Sequence, residues 1–438
     1  MILQTIGHAS ILLRNKKNEP VLLSDPWLLG SCYWRSWWLQ NYPTAAEFDE
    51  LQKVKYCYVT HEHPDHYHLP SIRKLGKNPT YISPGLPKEK IASYLNSLQF
   101  KSASLTPLTW YNLDDGISVL SIPLYNDDSC LLIDTPQAFI VNLNDSKPTQ
   151  AQLKKLRGYM NEAVNKKIIV LSSYSPASIV NSFRKNSEYV SIKDKNDYIV
   201  YINQLVSTLQ ADYFIPFASQ VIFYRPDSAW ANQYKVTYDD MEKGWTAPKT
   251  KLLHPYSCID LNTFDVTYVA PENYNHNSAD IKEKVSNYLE SVASVTLDEA
   301  DEKALEKKLR HHRFILAPLF PRGIGFHIDN QDYYFNTWKG RLTRGKQNSS
   351  FALQVPAQAM KDAVTYGHFG DLGITMFTLV ILNRSNNPKL IYIFFILLTL
   401  HDYGHTVSFK NFYNWIKSAF KNYNWNIPPM TAPKPVLV

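Results

Sequence analysis

Cysteine is scarce in this chain, with four in 438 residues, at positions 32, 57, 130 and 258. They form neither a Cys-x-x-Cys pair nor a framework spacing, which excludes a disulfide scaffold and a thiolate zinc ribbon. Cys57 and Cys130 lie inside apolar stretches and read as reduced core thiols. Long apolar runs are missing too. The longest, Leu390 to Leu400, falls well short of the roughly 20 residues that span a bilayer, so no transmembrane segment is expected. No Lys/Arg block occurs, and a net charge of +7 is a mild excess for this size. That balance excludes a nucleic-acid arm and suits an anionic small molecule as partner. Met1-Ile2-Leu3-Gln4 enters a strand without the pattern of a signal peptide, so the expected compartment is cytoplasmic.

What is present is apolar, aromatic and rich in histidine at one place. Hydrophobic residues make up 45% of the chain, with 29 Tyr, 20 Phe and 10 Trp, and the length supports two domains. The stretch Thr60-His61-Glu62-His63-Pro64-Asp65-His66-Tyr67-His68 packs four histidines and two carboxylates into eight residues. It follows an apolar run, Val54 to Val59, that reads as a buried strand. It precedes Leu69 to Leu75, which has helical spacing and tolerates Pro70 in its first turn. His61 and His63 alternate to one side of an extended backbone, and Asp65 and His66 follow where the chain turns. Such a set suits one or two divalent cations. A solvated polar turn does not explain it.

In chain order, Ile2–Thr5, Ser10–Leu13 and Val21–Leu23 read as strands, with Gly7-His8-Ala9-Ser10 at the first turn. Asp25 ends the next strand and could orient a metal-bound histidine from behind; His8 could do likewise or be merely a satisfied turn residue. Trp34-Arg35-Ser36-Trp37-Trp38 reads as a hydrophobic plug or a substrate wall, with Arg35 as its one charge, able to grip a phosphate or carboxylate. Thr80–Ile82, Ile117–Ile122, Cys130–Ile133, Phe139–Leu143, Lys167–Ser172 and Phe214–Phe217 read as strands. Lys88–Leu98, Gln150–Val164 and Tyr198–Leu209 read as helices, and Asp145 lies just past a strand end. The order predicts a layered α/β domain over residues 1–275. From about 278 the composition changes. Ile281–Val295 and Leu297–Arg310 read as a helical pair, and Arg313–Leu319, Gly325–Ile328, Tyr333–Trp338 and Ser350–Gln354 as strands. Val355–Val364, Ile374–Leu382 and Leu390–Leu400 follow as helices, giving a helical segment and α+β domain over 276–438. Phe412, Trp415, Ile416, Ala419 and Phe420 fall on one helical face. His401 and His405 are spaced to share a metal on a helix but lack a third ligand.

Gly7-His8-Ala9-Ser10, Ser24-Asp25-Pro26-Trp27, the His61 to His66 core and Asp145 together resemble the metallo-β-lactamase superfamily. Within it they are similar to the branch of L-ascorbate-6-phosphate lactonase and CMP-N-acetylneuraminate hydroxylase. The Arg35 to Trp38 cluster, Asp128-Ser129-Cys130 and Pro216-Phe217-Ala218 strengthen the likeness to the hydroxylase. The resemblance implies an αββα sandwich with metals at one edge, to which the pattern after 278 adds a C-terminal α+β domain. It implies that His61 and His63 bind a first metal, that Asp65 and His66 bind a second, and that Asp145 bridges them. These families supply further histidines where this chain reads Leu124-Tyr125-Asn126-Asp127-Asp128 and Tyr224-Arg225-Pro226, and no histidine occurs between His68 and His254. Asp127 or Asp128 would then substitute, in a shell richer in oxygen and suited to iron or manganese more than zinc. Otherwise one metal binds. Arg225 would hold an anionic substrate near the vacancy. His254 reads as structural.

Three functions follow. The first is an iron-dependent oxygenase or hydroxylase acting on a polar anionic metabolite, nucleotide-sugar-like or sugar-phosphate-like. Its site residues would be His61, His63, Asp65, His66, Asp128 and Asp145 for the metal, Asp65 and His66 for catalysis, and Arg35, Trp37 and Arg225 for substrate. The hydroxylase relatives carry a Rieske domain, whose Cys-x-His spacing is missing here, so a separate ferredoxin- or Rieske-type electron donor is expected. The second is a metallo-hydrolase, a lactonase or phosphodiesterase, using zinc or manganese. The third is a binding protein with a degenerate site.

Overall fold

The computed structural model describes residues 1–437 except 87–88, 125–127, 164, 177–181, 186–187, 191–193 and 384–387. Lys88, Tyr125, Asn126, Asp127 and Val164, named above, lie outside the described residues. Two sheets form the first layers. One has eight strands in the order Val266–Tyr268, Ser257–Asp260, Ile2–Ile6, Ser10–Arg14, Pro20–Ser24, Tyr56–Tyr58, Thr80–Ser83, Ser102–Ser104. The other has seven: Lys251–Leu252, Tyr213–Phe217, Lys167–Ser173, Ala138–Asn142, Ser129–Asp134, Ile117–Pro123, Trp110–Asp114.

Alternation along the strands assigns the layers. Leu13, Leu22, Val119, Leu131, Ile140, Ile169 and Ile215 fill the space between the sheets. Their neighbours Leu12, Leu23 and Cys57 turn outward onto Phe48, Ile72 and Leu95 of the helices Ala45–Leu51, Leu69–Leu75 and Ile91–Ser97. Likewise Leu132, Phe139, Val141 and Val170 face Leu153, Leu156, Ile202 and Leu205 of Gln150–Met160 and Lys195–Leu209. Both faces of the central strands are covered, which is why these segments read as continuous apolar runs. The result is an αββα sandwich.

The parallel strands Pro20–Ser24, Tyr56–Tyr58 and Thr80–Ser83 of one sheet, and Ala138–Asn142, Lys167–Ser173 and Tyr213–Phe217 of the other, set the location of the site. Asp25 follows one strand end, Thr60 to His68 another, and Asp145 a third. Loops beyond the carboxyl ends of parallel strands converge there.

A third sheet is built from both halves of the chain, in the order Glu188–Val190, Phe183–Lys185, Leu379–Leu382, Phe351–Val355, Ile324–Ile328, Gln331–Asn336, Arg341–Arg344. Its core takes Leu305, Leu309, Phe326, Phe335, Leu353, Met360, Phe394 and Leu398, with helices Glu299–His311, Ala357–Tyr366 and Pro388–Asp402. The chain end returns to the sandwich, where Trp425 packs beneath the second sheet's helices.

Three expectations in this half need correction. Arg313–Leu319 is a helix, not a strand: Leu316 is buried while Phe314 and Ile315 are both exposed, which breaks the alternation of a strand. Ile374–Leu382 is not a helix, because its Leu379–Leu382 end carries the β-branched Val380 and Ile381 and pairs with Phe351–Val355. His401 and His405 do not share a helix face, because the helix ends at Asp402 and Gly404 turns left-handed with φ 73°. Helix Phe409–Tyr423 buries none of its residues. Among the described residues no helix is long and apolar enough to cross a membrane, and the four cysteines are all free.

Candidate metal centre

His61, His63, Asp65 and His66 sit in the loop between Tyr56–Tyr58 and Leu69–Leu75, and Asp145 meets them from the opposite sheet. His61 Nε2 lies 2.8 Å from His63 Nδ1 and 3.8 Å from Asp145 Oδ2. His66 Nε2 lies 3.5 Å from Asp65 Oδ2 and 3.7 Å from the same Asp145 oxygen. Asp145 therefore stands between the two histidine groups. His8 is an addition: its Nε2 is 3.2 Å from Asp65 Oδ2, so it joins the facing donors instead of standing behind them. Gly7 allows this turn, since its φ is +60° and an added Cβ would meet the Trp27 carbonyl at 2.9 Å.

Behind these groups is a layer that aims them. Asp25 is fully buried and accepts from the Thr60 amide at 2.7 Å and from its hydroxyl at 3.0 Å, while its Oδ2 sits 3.1 Å from His66 Nδ1. The Nδ1–H of His66 therefore donates to Asp25, and Nε2 is the nitrogen that faces the cluster, offering its lone pair once a cation takes the place of its proton. Asp128 Oδ1 lies 3.3 Å from His61 Nδ1, the ring nitrogen opposite the one facing His63 and Asp145. Asp128 thus stands against the side of the His61 ring that points away from His63 and Asp145. Tyr33 donates to Asp65 Oδ1 at 2.6 Å. Tyr33, Trp34 and Arg35 all have positive φ, a strained run of three non-glycine residues. It is pinned by Trp34 Nε1 donating to Asp362 at 2.7 Å and by Arg225 Nη1 donating to the Trp34 carbonyl at 2.8 Å.

The donor set fits a cation. His66 Nε2 and Asp145 Oδ1 are buried with no hydrogen-bond partner among the described residues, which is costly unless something else occupies the space. Two overlapping groups, His61–His66–Asp145 and His8–Asp65–His66, each hold their ligand atoms within 4.8 Å. Electrostatics agree. Burial opposes charge on His66, yet Asp145, Asp65 and Asp25 raise its pKa well above the usual imidazole value. Burial also works against the Asp65 carboxylate, but His66 and His8 hold its pKa well below the ordinary range. Burial, assisted by His66, pushes His61 well down, leaving a neutral ligand. Burial and the Asp145 charge push Asp128 well up. The cluster is arranged around positive charge.

None of the three expected substrate residues belongs to this donor cluster. Trp37 is buried as a plug, tilted on Tyr33 and edge-on to Phe223, with its indole N–H on the Ile374 carbonyl. Arg225 is 2% exposed and committed, with a two-pronged pair to Asp227 at 2.9 and 2.7 Å and its guanidinium 4.3 Å from the Phe377 ring. Neither presents a surface to solvent. Arg35 is exposed and donates to Ser31 Oγ at 3.2 Å. His254 stacks on Tyr268, away from the cluster.

Sequence reasoning missed Thr60, Tyr33 and Asp371. Thr60 is legible only once Asp25 is seen beside it. Asp371 arrives from the C-terminal half, where burial raises its pKa and His63 and Asp65 act on it electrostatically. No local signal marks it.

The layer order and the edge position of the histidines and carboxylates define a metallo-β-lactamase-like protein with a His/Asp metal-binding cluster. No family model matches the chain. Over 241 residues the chain is 25% identical to cytidine monophosphate-N-acetylneuraminic acid hydroxylase of Danio rerio, covering 52% of this chain and 39% of that protein. Over 150 residues it is 29% identical to the hydroxylase of Asterias rubens, covering 32% of this chain and 22% of that one. The match spans between about two fifths and about half of the length of the vertebrate relatives. Among solved structures, the metallo-beta-lactamase fold protein YhfI from Bacillus subtilis is 10% identical with a TM-score of 0.37, covering 61% of this chain and 99% of that one.

Proposed function

We propose that this chain is a metal-dependent oxygenase or hydroxylase that acts on a polar anionic metabolite. One observation carries the reading: each of the two candidate ligand groups consists of two imidazoles and one carboxylate. That composition, with positions left open, is the one non-haem iron oxygenases use. The name of the distant sequence relatives supports the same chemistry. His61, His63, His66, His8, Asp65 and Asp145 would hold one or two ions. A bound iron would supply dioxygen activation there, with electrons from a ferredoxin- or Rieske-type donor.

The chain's own residues do the rest. Asp25 and Thr60 fix the tautomer and aim of His66, Asp128 holds the far nitrogen of His61, and Tyr33 holds one Asp65 oxygen. Trp27 and Trp37, both buried, exclude water from behind His8. Arg35 is the exposed cation nearest in sequence to this wall and is the candidate for gripping a phosphate or carboxylate of the substrate. Arg225 serves by holding the wall.

One observation favours a metallo-hydrolase instead. Asp145 Oδ2 stands nearly equidistant from His61 and His66, 3.8 and 3.7 Å away, as in a two-metal clamp that acts on a scissile bond. Isotope incorporation separates the readings. Anaerobically iron-loaded protein is given a reductant, nucleotide sugars or sugar phosphates, and labelled dioxygen. Oxygenation places one labelled atom in the product. Cleaved substrate carrying only solvent oxygen would overturn it in favour of hydrolysis.

A further inference from the structure

His401, left without a helical partner by the chain reversal at Gly404, meets two other imidazoles. Helix Glu299–His311 ends beside the end of helix Pro388–Asp402. The His311 and His401 rings are 4.8 Å apart, His311 and His312 also 4.8 Å, and His312 and His401 5.3 Å. One ligand nitrogen from each lies within 4.8 Å of the others.

Histidines at helix C-termini have an ordinary use, bonding the last free carbonyls. Among the described residues none of the three is seen to do this; His311 instead bonds a loop carbonyl, its Nε2 2.6 Å from that of Thr406 beyond the helix end. A carbonyl can only accept, so Nε2 carries the proton and Nδ1 the lone pair. The other two rings have no such use. His312 is 4% exposed with Nε2 buried and unpartnered, and His401 Nδ1 is likewise buried and unpartnered among the described residues. Two orphaned ring nitrogens beside a third imidazole with a fixed tautomer are costly to bury.

We propose that His311, His312 and His401 form a second metal site, distinct from the His/Asp cluster, that takes a zinc-class divalent cation and clips the two helices together. The donors are all imidazole, with no carboxylate among them, which suits zinc over the oxygen-preferring cations. Zinc–nitrogen bonds of about 2.0–2.1 Å put tetrahedral ligand nitrogens roughly 3.4 Å apart, so small side-chain rotations would close the set. Exposed His311 offers the way in, and the Thr406 carbonyl supplies its outer support. Lys308 acts on both His312 and His401, and it is paired with Asp402, whose other oxygen accepts from the Phe369 amide. The pairing tempers its repulsion of a cation.

The test is zinc stoichiometry by equilibrium dialysis on full-length, chelator-stripped protein. Five proteins are compared: the wild type, His311→Gln, His401→Gln, a double His61→Ala/His63→Ala variant, and that double variant with His311→Gln added. Glutamine can keep the His311 bond to Thr406 while removing the Nδ1 lone pair, and His311 is exposed, so that variant should fold. The site predicts about one equivalent fewer zinc in each Gln variant than in wild type. It predicts that the double variant retains that equivalent, with a zinc-dependent rise in melting temperature that vanishes when His311→Gln is added. Unchanged stoichiometry in His311→Gln, or a double variant that binds no zinc, overturns the proposal.

Discussion

Replacing Asp25 by Asn tests how much of the metal centre depends on residues that never touch the metal. The Asp25 carboxylate is fully buried, accepts two bonds from Thr60, and faces His66 Nδ1 at 3.1 Å. In Asp25→Asn the remaining oxygen keeps the Thr60 amide, and the new NH2 then points at the His66 Nδ1–H. Two donors facing each other drive His66 toward its other tautomer, with the proton on Nε2 where the lone pair should be. Losing an outer-shell partner of this kind weakens metal binding roughly 10- to 100-fold, about 1.4–2.7 kcal/mol. The same exchange removes a buried charge-assisted bond, so the stripped protein should lose about 1.5–3 kcal/mol of stability. Competition against a calibrated chelator measures the first, and urea unfolding the second. At saturating metal the stoichiometry should equal that of wild type. A folded Asp25→Asn protein with wild-type affinity would refute the orienting role.

Other expectations concern neighbouring residues. Tyr33→Phe removes the 2.6 Å bond to Asp65 Oδ1 and should weaken metal binding about tenfold, consistent with a charge-assisted bond of about 1.5–3 kcal/mol, read by the same competition assay. Unchanged affinity would mean that Asp65 is held without it. His68 has its pKa lowered to about 4 by burial, against the usual 6.5. Between those values the unfolded chain holds a proton that the folded chain does not. Stability from this residue is thus complete above pH 6.5 and falls by roughly 3 kcal/mol as pH drops to about 4. His68→Asn, which offers the Ser71 amide a capping oxygen in place of His68 Nδ1, should flatten that slope in denaturation of the stripped protein. An unchanged slope would assign the acid sensitivity elsewhere.

The sandwich was legible because its strands are buried on both faces. Leu131 to Ile133 and Lys167 to Ser172 are apolar without alternation, and the helices between them carry clear 3.6-residue spacing. The metal loop was legible because His61, His63 and His66, following directly on a strand, form a pattern that metal ligation requires and ordinary surface turns do not. Residues that depend on long-range packing were not legible. Asp371 acts on the centre electrostatically from a position far along the chain, with nothing local to mark it, and His8 was legible only as a turn residue that could stand behind a ligand, not as one that faces Asp65. Arg225 illustrates the opposite failure. A lone guanidinium near an expected vacancy invited a substrate role, yet Asp227, two residues on, takes its charge. The burial of Trp37 was equally invisible, since an aromatic loop looks the same from sequence whether it lines a cavity or fills one. Arg313 to Leu319 misled because a short apolar run gives no period long enough to tell helix from strand.

The most direct measurement is metal content, by mass spectrometry, of protein purified without chelators and under anaerobic conditions. Wild type should be compared with His61→Ala and His63→Ala. An iron centre at this cluster predicts one or two irons per wild-type chain, a visible spectrum that changes on admission of oxygen, and loss of most iron in both variants with the fold intact. Wild-type protein without stoichiometric iron, or variants that keep all of it, would contradict the assignment.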